Sequence, residues 1–370
     1  MWKTTEGSTG RLIQLCIGYF LFYVITGITV KYFTGNPQLG FPGMQETEYL
    51  IFNTIGGNVI CLAVAVAFGW YRIHSNKLIN FGRFRVPQEI VYIIPSGVCT
   101  AIVIPTTTLM YLLPISVMVA MVIMRASVII ISRAVDAIQI RQGILKKHVF
   151  WEENVAVVFA LCAAGVNILW VHSGDFEFLQ SPAAMSILGS YIIAYSIRIY
   201  IMNYYKNTRA VGVKLDNKGF FAIEQIAASA VMLIAGFLLF KATNWFNATE
   251  NQLVIFHDSF INPNPAWAKA ILAGTAYGMV AFFSVFIFMY KGRTATFAGL
   301  VNRLTSLVAG TTATLGSYYL FNGNFPKPQD WLSLVFIFIA VGFLSLAEKK
   351  RTAELSIAPD KAPALKPVHV

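Results

Sequence analysis

Apolar residues fill the chain in long runs, and short polar segments separate these runs. A helix needs about 20 mostly apolar residues to cross the hydrocarbon core of a bilayer. Windows of that kind occur near 11–33, 48–71, 90–112, 115–139, 154–172, 184–203, 219–241, 267–290, 294–320 and 331–347. The pattern therefore predicts ten transmembrane helices. The joints at 112–114 and 291–294 are so short that the helices flanking each joint must be antiparallel neighbours.

The composition agrees with an all-α integral membrane protein that is surrounded by the lipid bilayer. Of the 370 residues, 56% are hydrophobic and only 12% are charged, and the mean hydropathy is +0.63. These values lie far from those of an ordinary soluble domain. The net charge of +11 does not indicate a nucleic-acid partner, because the basic residues lie in short segments between apolar runs and form no solvated basic face.

The basic residues orient the chain, because lysine and arginine accumulate in the cytoplasmic loops of membrane proteins. Of the 28 lysines and arginines, 20 lie in one set of inter-helix segments and chain ends. The opposite set holds Lys31, Lys241, Lys269 and Lys327, and the spans hold Arg125, Arg133, Arg198 and Arg303. Both termini are therefore predicted to be cytoplasmic. A bacterial inner membrane is favoured over a eukaryotic endomembrane, since only a lone sequon at Asn247 points to the latter.

Ten spans with both ends on one side divide into two groups of five. An odd number per group inverts the second group relative to the first, which is a common transporter architecture. We expect a first five-helix repeat at 1–173 and an inverted second repeat at 174–351. The segment 352–370 has three prolines among small and charged residues, which predicts a disordered cytoplasmic tail.

Two arginines lie deep within predicted spans. Arg125 is ~15 Å from the outer end of its helix and Arg303 ~14 Å from the inner end of its own, at 1.5 Å per residue. An ionisable side chain at the bilayer centre costs at least ~2.5 kcal/mol, so it usually faces a bundle interior or a wet cavity. Two guanidiniums at one depth repel unless an anion lies between them, and their geometry suits phosphate or carboxylate. The alternative is that each bonds backbone carbonyls or an acid on another helix.

Several polar residues are candidates for the wall of the same site. Asn302 adjoins Arg303 and is expected to hydrogen-bond the same ligand. The remaining wall candidates are Tyr19, Tyr23, Asn53, Asn58, Tyr195 and Tyr277. Each of these is alternatively an ordinary packing or interhelical hydrogen-bonding residue.

Two pairs of charges within spans have a simpler interpretation. Arg133 and Asp136 lie three residues apart near a helix end, which predicts an interfacial ion pair. Arg198 and Glu224 share a depth on consecutive helices, which predicts a buried ion pair. Glu224 is alternatively a proton-coupling carboxylate, because burial raises the pKa of such a group.

The chain resembles the drug/metabolite transporter superfamily, which includes EamA-like permeases, nucleotide-sugar transporters and triose-phosphate translocators. The most specific stretch is NRLTSLVAGTTATLGSYYLFNGNFPKPQDWLSLVFIFIAVGFLSLAEKKR at 302–351, and MVIMRASVIIISRAVDAIQIRQG at 121–143 is similar to its fourth helix and following loop. In members that carry organic phosphates or nucleotide-sugars, basic residues on the fourth and ninth helices hold the anionic groups. The resemblance implies that role for Arg125 and Arg303.

Enzymatic chemistry has no counterpart in the sequence. The five histidines show no metal-ligand spacing, and the HExxH, GxSxG and P-loop motifs are absent. We therefore expect no enzyme, metal or cofactor, and a secondary transporter for a small, polar, anionic metabolite, either exchanging or proton-coupled. The alternatives are a permease for amino acids or cationic or amphipathic compounds, and a non-transporting polytopic receptor or assembly factor. A homodimer is compatible with each alternative.

Overall fold

The computed structural model describes residues 7–81, 83–112, 117–147, 149–166, 182–210, 212–246, 251–321 and 325–357. Within these ranges the chain forms eleven α-helices, one 3-10 turn at Pro37–Leu39 and one hairpin. The helices are α1 Thr9–Phe33, α2 Glu46–Ala67, α3 Ile90–Leu112, α4 Val117–Arg141, α5 Trp151–Gly165, α6 Pro182–Asn207, α7 Asn217–Phe246, α8 Asn251–Ile261, α9 Trp267–Phe288, α10 Ala295–Phe321 and α11 Pro328–Ile357. The hairpin pairs β1 Leu78–Phe81 with β2 Phe84–Pro87 in antiparallel register.

Seven helices of the described chain are long and apolar enough to cross a membrane, which is typical of a multi-pass membrane protein. They are Thr9–Phe33, Glu46–Ala67, Ile90–Thr107, Ala184–Asn207, Asn217–Thr243, Trp267–Phe288 and Pro328–Leu355. Each of the ten predicted spans overlaps one long helix. Parts of the predicted fifth span and of the 112–114 joint lie outside the described residues.

The three remaining long helices are shorter or more polar. The described part of α5 has 15 residues. Helix α4 carries three arginines and Asp136, and α10 is rich in threonine, serine and glycine. Helix α10 is nonetheless buried along much of its length, from Ala295 to Ser317. Its polar side chains therefore face other helices and the interior of the bundle.

Helix packing follows a regular scheme. Helix α2 packs against α9, and α3 packs against α7. Helix α1 packs against α9 and α10, while α6 packs against α3 and α4. Helices α4 and α10 meet each other, as do α5 and α11. Helices α4 and α10 therefore lie at the centre of the bundle.

Glycines permit close helix contacts, and Gly97 and Gly274 are two examples. Gly97 is the eighth residue of α3 and Gly274 the eighth of α9. A methyl group at Gly97 would lie 2.6 Å from the carbonyl oxygen of Glu224 on α7, and one at Gly274 would overlap the carbonyl of Asn53 on α2. Small residues let helix backbones approach in this way, which gains van der Waals contact within a membrane.

Asp136 departs from the predicted pair with Arg133. Its buried carboxylate accepts the backbone N–H groups of Ala295 at 2.8 Å and Thr296 at 2.6 Å, at the start of α10. Arg133 instead donates from Nε to Asn154 Oδ1 at 2.9 Å. The predicted Arg133–Asp136 ion pair is therefore wrong, because the unsatisfied N–H groups of a buried helix start attract the carboxylate more strongly.

An ion pair and a side-chain hydrogen bond hold the turn between α9 and α10 against neighbouring helices. Arg293 donates from Nε to Glu348 Oε2 on α11 at 2.9 Å, and Thr294 donates to Glu153 Oε2 on α5 at 2.6 Å. Lys147 lies beside this cluster. Burial and the nearby cationic groups lower the pKa of Lys147 to about 8.

Helix α11 extends beyond the predicted tenth span to Ile357, so residues 352–357 are helical and do not belong to the disordered tail that the sequence predicts. Arg351 stabilises this extension, because it donates to Glu354 at 2.9 Å and to Glu153 at 3.3 Å. Helix α8 and the hairpin also lie outside the predicted spans. Residues 358–370 lie outside the described chain.

Replacing Gly274 with alanine is expected to lower the free energy of unfolding by about 1–3 kcal/mol, because the added methyl forces α9 away from α2. Gly342→Ala on α11 is the matched control, since no atom lies within 4 Å of a methyl group there. Chemical denaturation in detergent measures both variants. Equal stabilities would contradict the proposed close contact.

Candidate functional site

A central cavity of about 170 Å³ lies among α1, α3, α4, α6, α7, α9 and α10. It is lined by Tyr19, Tyr23, Thr100, Val103, Ile104, Thr107, Met124, Arg125, Tyr191, Tyr195, Arg198, Gln225, Tyr277, Val280, Ala281, Ser284, Val285, Asn302 and Arg303. Three of these residues are arginines, and none of the described lining residues is acidic. The cavity is therefore a positively charged, tyrosine-rich chamber.

Arg125 reaches the cavity from α4. Its side chain is half-buried and extends toward α10, where a methyl group at Gly310 would lie 3.5 Å from its Nη2 atom. Within the described chain, no hydrogen bond or ion pair engages the Arg125 guanidinium. Its five N–H donors are therefore available to a ligand.

Arg303 enters the cavity from α10, of which it is the ninth residue. Its Nη2 donates to the hydroxyl oxygen of Tyr195 at 2.7 Å, and its Cζ lies 5.3 Å from the centre of that ring. Its Nε is buried without a hydrogen-bond partner among the described residues. A buried guanidinium N–H normally has a partner, so this orphaned donor indicates a ligand or water position.

Arg198 and Glu224 form a bidentate pair beside the cavity. Arg198 donates from Nε and Nη2 to the two carboxylate oxygens of Glu224, each at 3.0 Å. Ser96 on α3 adds a 2.6 Å hydrogen bond to the same carboxylate. Arg198 lines the cavity whereas Glu224 lies behind it, and both side chains are buried. The carboxylate thus neutralises Arg198 and leaves the charges of Arg125 and Arg303 uncompensated.

Tyrosines form two facing pairs in the cavity wall. Tyr19 and Tyr23 lie one turn apart on α1 with ring centres separated by 5.5 Å, and Tyr191 and Tyr195 repeat this on α6 at 5.3 Å. Tyr277 adds a fifth ring from α9. Sequence reasoning missed Tyr191, although its spacing of four residues from Tyr195 places both on one helix face.

The three asparagines predicted for the site differ in position. Asn53 is outside the cavity lining, and its Oδ1 accepts a hydrogen bond from the Tyr49 hydroxyl at 3.3 Å. Asn302 lines the cavity, where its Nδ2 donates to Ser284 Oγ at 3.0 Å. Asn58 lies outside the lining, because its Oδ1 accepts from Gln225 at 2.7 Å and from Ser229 at 3.1 Å. The expectation that Asn58 forms part of the wall is therefore corrected. Gln225, which sequence reasoning missed, occupies the wall in its place.

The two halves of the chain contribute to the lining at matching positions. In α3 and in α9, the first lining residue is the eleventh of the helix, and others follow it after three, four and seven positions. Those residues are Thr100, Val103, Ile104 and Thr107 in α3, and Tyr277, Val280, Ala281 and Ser284 in α9.

Comparison with known proteins gives information on the fold only. No family model matches the chain, and no curated protein matches it. Twenty-three chains of solved structures match. One, described only as "Crystal structure of protein", aligns with a TM-score of 0.54 and 12% identity, over 93% of this chain and 99% of its own. The overall arrangement of helices therefore recurs in at least one solved structure.

Removing one partner of the Arg198–Glu224 pair leaves a buried charge without its counterion. We expect Glu224→Ala and Arg198→Ala each to lower the free energy of unfolding by about 3–5 kcal/mol. The double variant is expected to lose less than the sum, because its two sites interact. Glu46→Ala, an exposed acid in the first turn of α2, is the control and should lose less than about 1 kcal/mol. Strictly additive losses in chemical denaturation would contradict the pairing.

Proposed function

We propose that this chain is a secondary transporter of the drug/metabolite transporter type that moves a small organic anion through the central cavity. The proposal comprises ten transmembrane helices, α1–α7 and α9–α11, in two inverted five-helix units. Arg125 and Arg303 hold the anion between the units, and alternating access exposes it to each side of the membrane in turn.

The helix neighbours support the repeat. In the proposed scheme α1 to α5 correspond to α6, α7, α9, α10 and α11. If each helix is replaced by its counterpart, the contact between α2 and α9 becomes the contact between α7 and α3, and the contact between α1 and α9 becomes the contact between α6 and α3. In the same way, α1–α10 becomes α6–α4 and α4–α5 becomes α10–α11. All eight of these helix contacts occur in the structure. The contacts α2–α7, α4–α10 and α5–α11 exchange with themselves. The matching cavity positions on α3 and α9 support the same correspondence.

Ten spans are supported by where the two more polar helices, α4 and α10, lie. Helices α4 and α10 sit at the centre of the bundle and contribute both arginines to the cavity. A helix that is shielded from lipid by its neighbours tolerates polar residues that a lipid-facing helix does not. The charge distribution of the loops supports two cytoplasmic termini. We propose a bacterial inner membrane, because only the lone sequon at Asn247 points to a eukaryotic endomembrane.

One observation supports the proposal that the substrate is an anion. Two guanidiniums share a cavity in which no described lining residue is acidic, and the nearest carboxylate, Glu224, is already occupied by Arg198 and Ser96. Buried charges require compensation, and a phosphate or carboxylate supplies it with bidentate geometry. The cavity volume of about 170 Å³ favours a phosphorylated sugar or a carboxylate over a nucleotide-sugar, because pockets that hold drug-sized ligands have volumes of about 300–1,000 Å³.

The same contacts disfavour a cationic cargo and proton coupling through Glu224. A cationic cargo would face two uncompensated guanidiniums, which repel it. Proton coupling through Glu224 would require its carboxylate to release two hydrogen bonds from Arg198 and one from Ser96. Exchange of one anion for another keeps the arginines compensated while the protein changes conformation, so we favour exchange.

Reconstitution into liposomes tests the proposed function. The parent is assayed for uptake of labelled sugar phosphates, nucleotide-sugars and dicarboxylates, and Arg125→Gln and Arg303→Gln are compared for whichever the parent carries. Each guanidinium–anion bond is worth roughly 1.5–3 kcal/mol, so we expect uptake at low substrate concentration to fall about 10- to 100-fold in each variant.

Arg133→Gln is the matched control, because Arg133 lies on the same helix as Arg125 and bonds Asn154 outside the cavity. It should retain the parental uptake. Full uptake by both cavity variants would overturn the site. An absence of uptake for every anion of the panel, with uptake of a cation or amino acid, would overturn the substrate class.

A further inference from the structure

A second, larger cavity lies on the outer surface of the bundle, between α1 and α11, with α10 as its floor. Its volume is about 710 Å³. Both α1 and α11 pack against α10, and at one end Thr9 on α1 donates to Glu348 on α11 at 2.8 Å. We call this cavity the α1–α11 cleft. Its open side faces the surroundings of the bundle, where Ile13 and Ile17 are about half exposed.

The length of the cleft corresponds to one leaflet of a bilayer. Its lining on α1 runs from Thr9 to Phe20 and its lining on α11 from Val341 to Thr352. At 1.5 Å per residue each stretch is roughly 16 Å long. Half of the ~30 Å hydrocarbon core is about 15 Å. An acyl chain lying parallel to the helices therefore fits from the interface to the bilayer centre.

The chemistry of the cleft suits an acyl chain with a charged end. Its walls are mainly leucine, isoleucine, valine and phenylalanine, and its two charged residues, Glu348 and Lys349, lie with Thr9 and Thr352 at one end. A hollow in contact with lipid loses dispersion contacts on all its lining atoms unless something fills it. Acyl chains are the apolar material that the bilayer supplies.

The charged end of the cleft determines which phospholipid head group fits it. Lys349 lines this end with an exposed side chain, and Arg11 is exposed on the adjacent turn of α1. The neighbouring acid, Glu348, is already bonded by Arg293 and Thr9. The cationic groups are thus left without an acidic partner from this cluster, which favours a phosphate-bearing anionic lipid over a zwitterionic one.

We propose that the α1–α11 cleft binds one acyl chain of an anionic phospholipid, with its phosphate beside Lys349. The orientation proposed above places this lipid in the cytoplasmic leaflet. Helix α10 forms the common wall of the two cavities, because Val301 and Leu304 face the cleft while Asn302 and Arg303 face the central chamber. The bound lipid therefore supports the helix that carries Arg303.

Native mass spectrometry of the full chain tests this site. Delipidated protein is titrated with phosphatidylglycerol or phosphatidylcholine that have identical acyl chains. The parent should retain one phosphatidylglycerol more strongly than phosphatidylcholine. Lys349→Gln should weaken phosphatidylglycerol retention about fivefold, the amount expected for one lysine at a membrane surface. Lys214→Gln, an exposed lysine in the segment between α6 and α7, is the control and should leave retention unchanged.

Filling the cleft gives an independent test. Ser345→Phe places a ring inside the cleft, whereas Leu346→Phe alters the adjacent lipid-facing position. The first variant should lose the retained lipid and the second should keep it. Equal retention of the two lipids by the parent would overturn the proposal, as would equal effects of Lys349→Gln and Lys214→Gln. These two comparisons decide the question even if Ser345→Phe fails to fold. A lipid-free dimer would assign the cleft to a second copy of the chain.

Discussion

A guanidinium inside a membrane protein must have partners for its charge and its N–H groups, and this requirement organises the centre of the bundle. The three arginines of the cavity meet it to different degrees. Arg198 is fully compensated by the carboxylate of Glu224. Arg303 is bonded by Tyr195 but retains an orphaned Nε, and Arg125 has no partner within the described chain. Under the proposed function, this difference separates an arginine with a structural role from two arginines that bind the substrate.

The fold brings these arginines together through backbone contacts. Gly97 and Gly274 let α3 and α9 approach α7 and α2 closely, which leaves the remaining faces of α3 and α9 to line the cavity. Asp136 holds the start of α10 against α4 through the N–H groups of Ala295 and Thr296. The arginine-bearing helices are therefore tied to each other at one end, and the cavity lies part-way along them.

The sequence predicts the helices and much of the cavity, because bilayer thickness sets the length of each apolar run and depth is read directly from residue position. The contact between Arg198 and Glu224 followed from their shared depth. The partners of Asp136 did not, because they are backbone N–H groups 159 residues away that leave no side-chain pattern. The displacement of Asn58 by Gln225 was equally hidden, since the rotation of α2 and α7 about their axes depends on packing.

The central claim is that Arg125 and Arg303 hold one anion between them, and anomalous diffraction tests it most directly. Selenate is a tetrahedral dianion whose selenium is located by its anomalous signal in soaked crystals. We expect a selenium peak in the central cavity about 4 Å from the guanidinium carbon of each arginine, as hydrogen-bonded oxyanions require. A cavity without such a peak, in which either arginine is paired with a carboxylate of the chain, would contradict it.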